Sequence, residues 1–159
     1  MHNHLDDIDI KMLELLQMNS RVKRSELADK TGLSIPSVTD RLRKLENNGY
    51  IDSYQTKLNR KMLGKDITAF IFVVSDSSKN YKDFITHALQ TPEVLECHSI
   101  TGDGSHILKI QTTNTSSLEK ILSKIQSWKG VHSTRTSIVL SSHKESFQVD
   151  LRNIKSANN

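Results

Sequence analysis

Apolar side chains in the first third of the chain recur every three or four residues, which is the spacing of one helical face. This stripe predicts a first helix over residues 6–18, capped by Asp6, and a short second helix over residues 24–31. A third helix is predicted from residue 35 to about residue 48, with Ser34 as its cap. Its buried side is expected to carry Val38, Leu42 and Leu45.

The hydrophobic period changes after a polar connector over residues 61–65. Residues 67–74 predict a strand that is apolar on both faces and is therefore covered on both sides. A capping box of Ser116 and Glu119 predicts the start of a later helix. The other predicted elements are a short strand or hairpin wing over 50–58, an amphipathic helix over 81–89 stopped by Pro92, and strands over 94–100, 106–112 and 131–140.

This order of elements predicts two small domains, which a chain of 159 residues can hold. The fold class is α+β: an N-terminal winged helix-turn-helix, all-α with a small wing, followed by a ferredoxin-like βαββαβ domain. The predicted boundaries are residues 1–60 for the first domain, 61–65 for the connector, 66–143 for the second domain and 144–159 for a polar C-terminal tail.

Composition indicates a soluble protein of a reducing compartment. The single cysteine, Cys97, rules out an intrachain disulfide framework. No stretch approaches the ~20 apolar residues that a membrane span needs, and the N-terminus lacks the pattern of a signal peptide. We therefore expect a cytoplasmic protein with no membrane partner.

Positive charge is concentrated in one short segment. Residues 20–44 carry seven basic and three acidic side chains, whereas the net charge of the whole chain is +4. In the same segment Ala28, Gly32 and Val38 supply a small residue where two helices touch, a residue able to turn sharply and an apolar residue on the second helix. These features together predict a helix-turn-helix that binds double-stranded DNA, and a three-helix interaction module with a hydrated basic surface is the alternative.

The exposed side of the third helix and the basic residues near it are the candidate DNA contacts. Arg41 is expected to pair bidentately with guanine, and Ser37 and Asp40 to meet base edges. The side chains of Arg43 and Lys44, and those of Arg21 and Lys23 before the second helix, are better placed to contact phosphates. The full predicted set is Arg21, Lys23, Ser34, Pro36, Ser37, Asp40, Arg41, Arg43 and Lys44.

Four strings carry a resemblance to the Lrp/AsnC (feast/famine) family of transcription regulators. They are LDDIDIKMLELLQMNSR and ELADKTGLSIPSVTDRLRKLENNGYI in the first half, and ECHSITGDGSHILK and TRT in the second. The resemblance covers nearly all of residues 4–143. It implies a non-enzymatic DNA-binding regulator that forms dimers through its ferredoxin-like domains and assembles further, for example into an octamer.

The resemblance also implies a small effector, usually an amino acid, bound near the glycine-containing turn. Carried over by position, the contact residues are Thr101, Gly102, Asp103, Gly104, Ser105, His106, Thr134 and Thr136. The family commonly has an aromatic residue and then an aspartate where this chain has Gly104 and Ser105. That aspartate is suited to bind the ammonium group of a ligand, and this chain lacks it at that position. The site could therefore bind an amino acid, bind another ligand or stay empty.

Metal and enzyme alternatives have weaker support. His98, His106 and His132 fall on three different predicted strands, and the adjacent Cys97 and His98 point to opposite faces, so no metal site and no cofactor are expected. Sirohaem decarboxylases resemble this family, but the intact helix-turn-helix core argues against that enzyme class. An architectural protein that wraps or bridges DNA with little sequence preference would use the same residues and stays an alternative.

Overall fold

A computed structural model describes residues 5–75, 80–152 and 154 of the chain. The chain divides into two compact units, one of Met1–Lys57 with Lys144–Asn159 and the other of Leu58–His143. The C-terminal segment, expected to be a separate polar tail, thus groups with the first unit.

Three helices form the body of the first unit: α1 (Asp7–Met18), α2 (Arg24–Thr31) and α3 (Ile35–Asn47). The predicted caps are confirmed, because Asp6 accepts a hydrogen bond from the Asp9 amide and Ser34 accepts one from the Ser37 amide. The core of this unit consists of Met12, Leu27, Ala28, Val38 and Leu42, with further apolar residues around them.

The predicted wing strand or hairpin over residues 50–58 is wrong as secondary structure, since the structure assigns no strand there. A strand needs a neighbour for its hydrogen-bond ladder. This segment instead bonds back to α3: the amides of Tyr50 and Ile51 donate to the carbonyl of Leu45, and the Tyr54 hydroxyl donates to Glu46 at 2.8 Å. Burial, together with the bond to Glu46, raises the pKa of Tyr54 to about 12.

The C-terminal segment is attached to the first unit at two places. The side-chain amide of Gln17 accepts a hydrogen bond from the backbone N–H of Val149 and donates one to its carbonyl at 3.2 Å. The Lys57 ammonium lies 3.3 Å from the Glu145 carboxylate. A side-chain amide can satisfy both backbone groups of one residue, so Gln17 takes the place of a neighbouring strand here.

The second unit is a four-stranded antiparallel sheet with two helices. In chain order it contains a short 3-10 turn (Lys61–Leu63), β1 (Ile67–Ser75), α4 (Tyr81–Leu89), β2 (Val94–Ser99), β3 (His106–Thr112), α5 (Thr115–Gln126) and β4 (Val131–Ile138). The strand order β2-β3-β1-β4 is that of a ferredoxin-like βαββαβ fold, which confirms the predicted class. The ends of the predicted elements differ from these by at most two residues.

The residues that the structure describes cover only one face of β1. Ala69, Ile71 and Val73 are fully buried in the core of the second unit, together with Phe84 of α4 and Ile125 of α5. The alternate side chains point to the other face, where Phe70 and Phe72 are half-buried and Val74 is 39% exposed. The expectation that both faces are covered therefore needs something outside this single chain.

The predicted capping box at Ser116 and Glu119 is wrong. Helix α5 begins two residues earlier, where Asn114 accepts a hydrogen bond from the Ser117 amide at 2.9 Å and the Ser117 hydroxyl accepts one from the Asn114 amide at 3.0 Å. Asparagine caps helices as well as serine does, so the local sequence offered two caps. The earlier one is also bonded to β3, since the Thr112 hydroxyl donates to the Ser117 hydroxyl at 2.6 Å. Among the described residues, no helix is long and apolar enough to cross a membrane.

Candidate DNA-binding surface and ligand pocket

The turn between α2 and α3 has the geometry that a helix-turn-helix needs. Gly32 ends α2 with φ of +71°, in the left-handed region that glycine tolerates without strain. Ala28 is 6% exposed and Val38 is fully buried, so α2 and α3 meet at the small and apolar residues that the sequence indicated. The predicted helix-turn-helix core is confirmed.

The outer side of α3 carries a polar stripe. Ser37, Asp40 and Lys44 are exposed at separations of three and four residues, which places them on one helical face. Asp40 is paired with Arg43 at 3.0 Å, and both side chains are more than 60% exposed. The remaining predicted contacts, also exposed, are Arg21, Lys23, Ser34 and Pro36. All of these side chains are accessible to a polyanion, including Ser34, whose hydroxyl also caps α3.

Arg41 is the predicted contact that the structure places differently. Its Nη1 lies 2.7 Å from an oxygen of Asp6 and 2.7 Å from an oxygen of Asp9, both at the start of α1. Only 29% of its side chain is exposed. The guanidinium that was expected to read guanine is therefore bonded to two carboxylates of α1 in this structure.

The candidate ligand site of the second unit is the turn between β2 and β3. A pocket of about 220 Å³ opens there, and half of the predicted effector residues line it: Thr101, Asp103, Gly104 and Thr134. Its other lining residues, which sequence reasoning missed, are Phe72, Val74, Ile100, Ser133 and Arg135. Four of these come together through the pairing of β1 with β4, which sets Arg135 opposite Phe72 and Ser133 opposite Val74, and the sequence alone does not give that register.

Opposite charges face this pocket without neutralising each other. Asp103 supplies a carboxylate, and the Arg135 guanidinium lies 4.8 Å from the centre of the Phe72 ring. No ion pair between Asp103 and Arg135 occurs in the described part of the chain. The ring face favours a cation, so Phe72 holds the guanidinium at the pocket while leaving its donors free.

The other predicted effector residues lie away from the pocket lining. Gly102 occupies the tip of the turn, with φ of +105°. Thr136 pairs with the fully buried Ile71, and therefore points toward the helices. Thr134 is on the same face of β4 but, unlike Thr136, lies at the pocket lining, and its hydroxyl accepts a hydrogen bond from Gln126 of α5 at 3.0 Å.

Ser105 and His106 are turned into the second unit. The Ser105 hydroxyl donates to the Val73 carbonyl at 3.0 Å and accepts from the Ser75 amide at 3.1 Å. Nδ1 of His106 also contacts that hydroxyl at 3.0 Å, and the imidazole is only 2% exposed against the Phe84 ring. Burial lowers the pKa of His106. These two residues fasten the turn to β1, and neither is among the residues that line the pocket.

Carboxylate and cation pairs also occur on the uncovered face of the sheet. Lys109 lies 2.9 Å from Glu96, and His98 lies 3.4 Å from the other oxygen of Glu96. Burial would raise the pKa of Glu96, but the bonds from Lys109 and His98 outweigh it and the pKa is lowered. Across the described residues, no group of three or more His, Cys, Asp and Glu side chains is arranged to hold a metal ion.

Comparison with known proteins agrees with both halves of the chain. The model of the Lrp/AsnC ligand binding domain matches residues 68–149, and that of the winged helix-turn-helix DNA-binding domain matches residues 5–52. The HTH-type transcriptional regulator FL11 of Pyrococcus furiosus is 34% identical over 152 residues, which cover 96% of this chain and 100% of that protein.

Solved structures agree as well. A transcriptional regulator from Neisseria meningitidis, crystallised as a complex with L-Met, is 30% identical with a TM-score of 0.90 and covers 94% of this chain and 99% of its own. A feast or famine regulatory protein from M. tuberculosis, complexed with L-methionine, is 30% identical with a TM-score of 0.82 and covers 91% of this chain and 98% of its own. On these matches and on its own fold, the chain belongs to the Lrp/AsnC family of transcriptional regulators.

Proposed function

We propose that this protein is a sequence-specific DNA-binding regulator whose affinity for DNA changes when an amino acid or a related small metabolite binds its second unit. The observation that carries the DNA half is the pair of helices α2 and α3 joined at Gly32, with a polar stripe on the outer side of α3. A helix presented in this way fits the major groove, and the basic residues around it suit the phosphates.

Fluorescence anisotropy with labelled duplexes tests the DNA half. The probes are a duplex selected from a random pool by the wild-type protein and a scrambled duplex of equal composition. Lys44→Ala should weaken both by a similar factor and reduce the slope of log affinity against log salt by about 1. Lys120→Ala, which removes an equally exposed lysine from α5, is the matched control.

Two outcomes would change the proposal. Folded wild-type protein that ignores both duplexes at low ionic strength would overturn DNA binding. Equal affinity for the selected and scrambled duplexes would favour an architectural protein, because specific regulators bind their sites about 10³-fold or more tightly than other DNA.

The effector half rests on the opposite charges that face the pocket. An amino acid carries an ammonium group that Asp103 can accept and a carboxylate that Arg135 can hold, and Phe72, Val74 and Ile100 offer apolar surface to a side chain. A volume of about 220 Å³ suits a ligand of amino-acid size, since pockets for larger ligands begin at roughly 300 Å³.

A thermal-shift screen against the twenty amino acids tests this half. At least one should raise the unfolding temperature and alter DNA affinity, and Asp103→Asn should remove both effects. Asp83→Asn, an exposed carboxylate in the first turn of α4, is the control. A flat response to all twenty amino acids would count against an amino-acid effector.

We also infer that a second copy of the chain covers the open face of the sheet, giving a dimer that can assemble further, up to an octamer. Phe70 and Phe72 leave an apolar patch there that a lone subunit would expose. In sedimentation, Phe70→Asp should dissociate the dimer, whereas Leu89→Asp, at an exposed position of α4, should not. A monomeric wild-type protein at micromolar concentration would contradict this.

The free thiol of Cys97 fits a cytoplasmic site of action.

A further inference from the structure

Asp6 and Asp9 form a site for one cation at the start of α1. Each uses one oxygen for capping: the Asp9 amide donates to Asp6 Oδ1 at 2.8 Å, and the Asp6 amide donates to Asp9 Oδ2 at 3.2 Å. The two remaining oxygens, Asp6 Oδ2 and Asp9 Oδ1, both accept from Nη1 of Arg41. All four carboxylate oxygens are thus bonded, two to backbone amides of α1 and two to α3.

The opposite charges of this contact, which we call the clamp, attract each other. Two carboxylates three residues apart repel each other, and a guanidinium between them removes that repulsion. Burial alone would raise the pKa of Asp6, but the Asp9 amide and Arg41 outweigh it and the pKa is lowered. The hydrogen bonds that Arg41 donates to Asp9 and Asp6 raise the pKa of its guanidinium. The contact therefore favours the charged forms of Asp6 and Arg41.

The position of Arg41 on α3 shows what the clamp controls. Arg41 follows Asp40 of the outer stripe and precedes Leu42 of the core, at the edge between the two faces. A bond from this edge to α1 resists rotation of α3 about its own axis. Arg41 lies four residues after Ser37 and three before Lys44, so it is their neighbour on α3, and the bond holds its guanidinium against α1.

We propose that Arg41 is a positioning residue: clamped by Asp6 and Asp9, it sets the rotation of α3 so that Ser37 and Asp40 face the bases and Lys44 meets the phosphates, and it does not itself read sequence. This rests on the proposed DNA-binding function and assigns specificity to Ser37 and Asp40. A small rotation displaces side chains at the helix surface, so loss of the clamp reduces specific binding more than phosphate binding.

Replacement of Arg41 by lysine distinguishes a positioning role from the reading of guanine. One nitrogen of Arg41 reaches both carboxylates, so a lysine ammonium can replace it. Bidentate reading of guanine, by contrast, needs the guanidinium fork, which lysine lacks. The measured quantity is the ratio of affinities for the selected and scrambled duplexes at one stated salt concentration.

The proposal predicts that Arg41→Ala and Asp9→Asn each lower this ratio about tenfold, and that the double variant is no worse than either. Arg41→Lys should stay within about threefold of the wild type. Glu14→Gln removes an exposed negative charge from the same helix and controls for the general gain in DNA affinity, so its ratio should not change. If Asp9→Asn folds poorly, Asp6→Asn replaces it as the test. It keeps a good helix cap while weakening the ion pair, so it should lower the ratio by the same factor.

Two results would overturn the proposal. Arg41→Lys as damaging as Arg41→Ala would mean that the guanidinium fork meets a base. An Asp9→Asn ratio equal to that of Glu14→Gln would mean that the clamp does not set the reading surface. Wild-type protein with a ratio of one would instead refute sequence-specific binding itself, which the first pair of results leaves intact.

Discussion

Removing the hydroxyl of Ser105 tests whether that residue fastens the ligand turn or faces a ligand. A hydroxyl has one proton and two lone pairs. In Ser105 the proton is donated to the Val73 carbonyl, one lone pair accepts from the Ser75 amide, and the other is shared between the Ser75 hydroxyl at 2.8 Å and His106 Nδ1. Ser105→Ala therefore deprives several half-buried groups of their partner at once.

The expected cost follows from those partners. A net hydrogen bond contributes about 0.5–1.5 kcal/mol, and a buried group left without a partner costs about 1–3 kcal/mol. His106 is affected most, because its Nε2 already has no partner in the described structure and Nδ1 would lose its own. We expect Ser105→Ala to lower the free energy of unfolding of the second unit by about 2–3 kcal/mol, and its midpoint by on the order of 10 °C.

Trp128, the single tryptophan of the chain, is a direct reporter of this unit. It is 6% exposed and its ring centre lies 5.4 Å from that of Phe84, which in turn lies 4.4 Å from His106. Urea unfolding followed by its fluorescence gives the free energy, with Ser137→Ala, at an exposed position of β4, as the control. A Ser105→Ala protein as stable as the wild type would refute the reasoning, and loss of ligand binding in such a protein would give Ser105 a role at the ligand.

Three further predictions concern single contacts. Because burial lowers the pKa of His106, the unfolded chain binds more protons below about pH 6.5, so the second unit should lose stability as the pH falls through that range and His106→Phe should reduce the slope. Gln17→Ala should speed hydrogen exchange at the Val149 amide about fivefold, the effect of losing about 1 kcal/mol, and an unchanged rate would mean that the C-terminal segment is held by other contacts. Asn114→Ala should cost about 1 kcal/mol in urea unfolding and Ser116→Ala under about 0.5 kcal/mol, while the reverse order would restore the later cap.

The sequence predicted correctly those features that depend on interactions between residues close together in the chain. The caps at Asp6 and Ser34 and the turn at Gly32 depend on groups within four residues of each other, and the structure confirms them. The order of the strands followed from the change of hydrophobic period and from the few topologies that two helices and four strands allow. Family strings then identified the two halves more specifically than any pattern of periodicity.

Local reasoning failed where two good signals competed. Ser116 and Glu119 match a capping box as well as Asn114 and Ser117 do, and only the latter pair has a hydrogen bond to β3, which Thr112 donates to Ser117. Residues 50–58 have side chains suited to a strand, but a ladder needs a partner that is not determined by the segment itself.

For the candidate sites, sequence determined which side chains are present and tertiary structure decided what each of them faces. Arg41 carries the same charge whether it meets a base or the carboxylates of Asp6 and Asp9, 35 and 32 residues earlier in the chain. Arg135 became part of the ligand pocket only because β4 lies beside β1 and sets it over Phe72. The reason is physical: a charge or a hydroxyl is an attribute of one residue, whereas its partner is set by the packing of distant segments, which no short stretch of sequence contains.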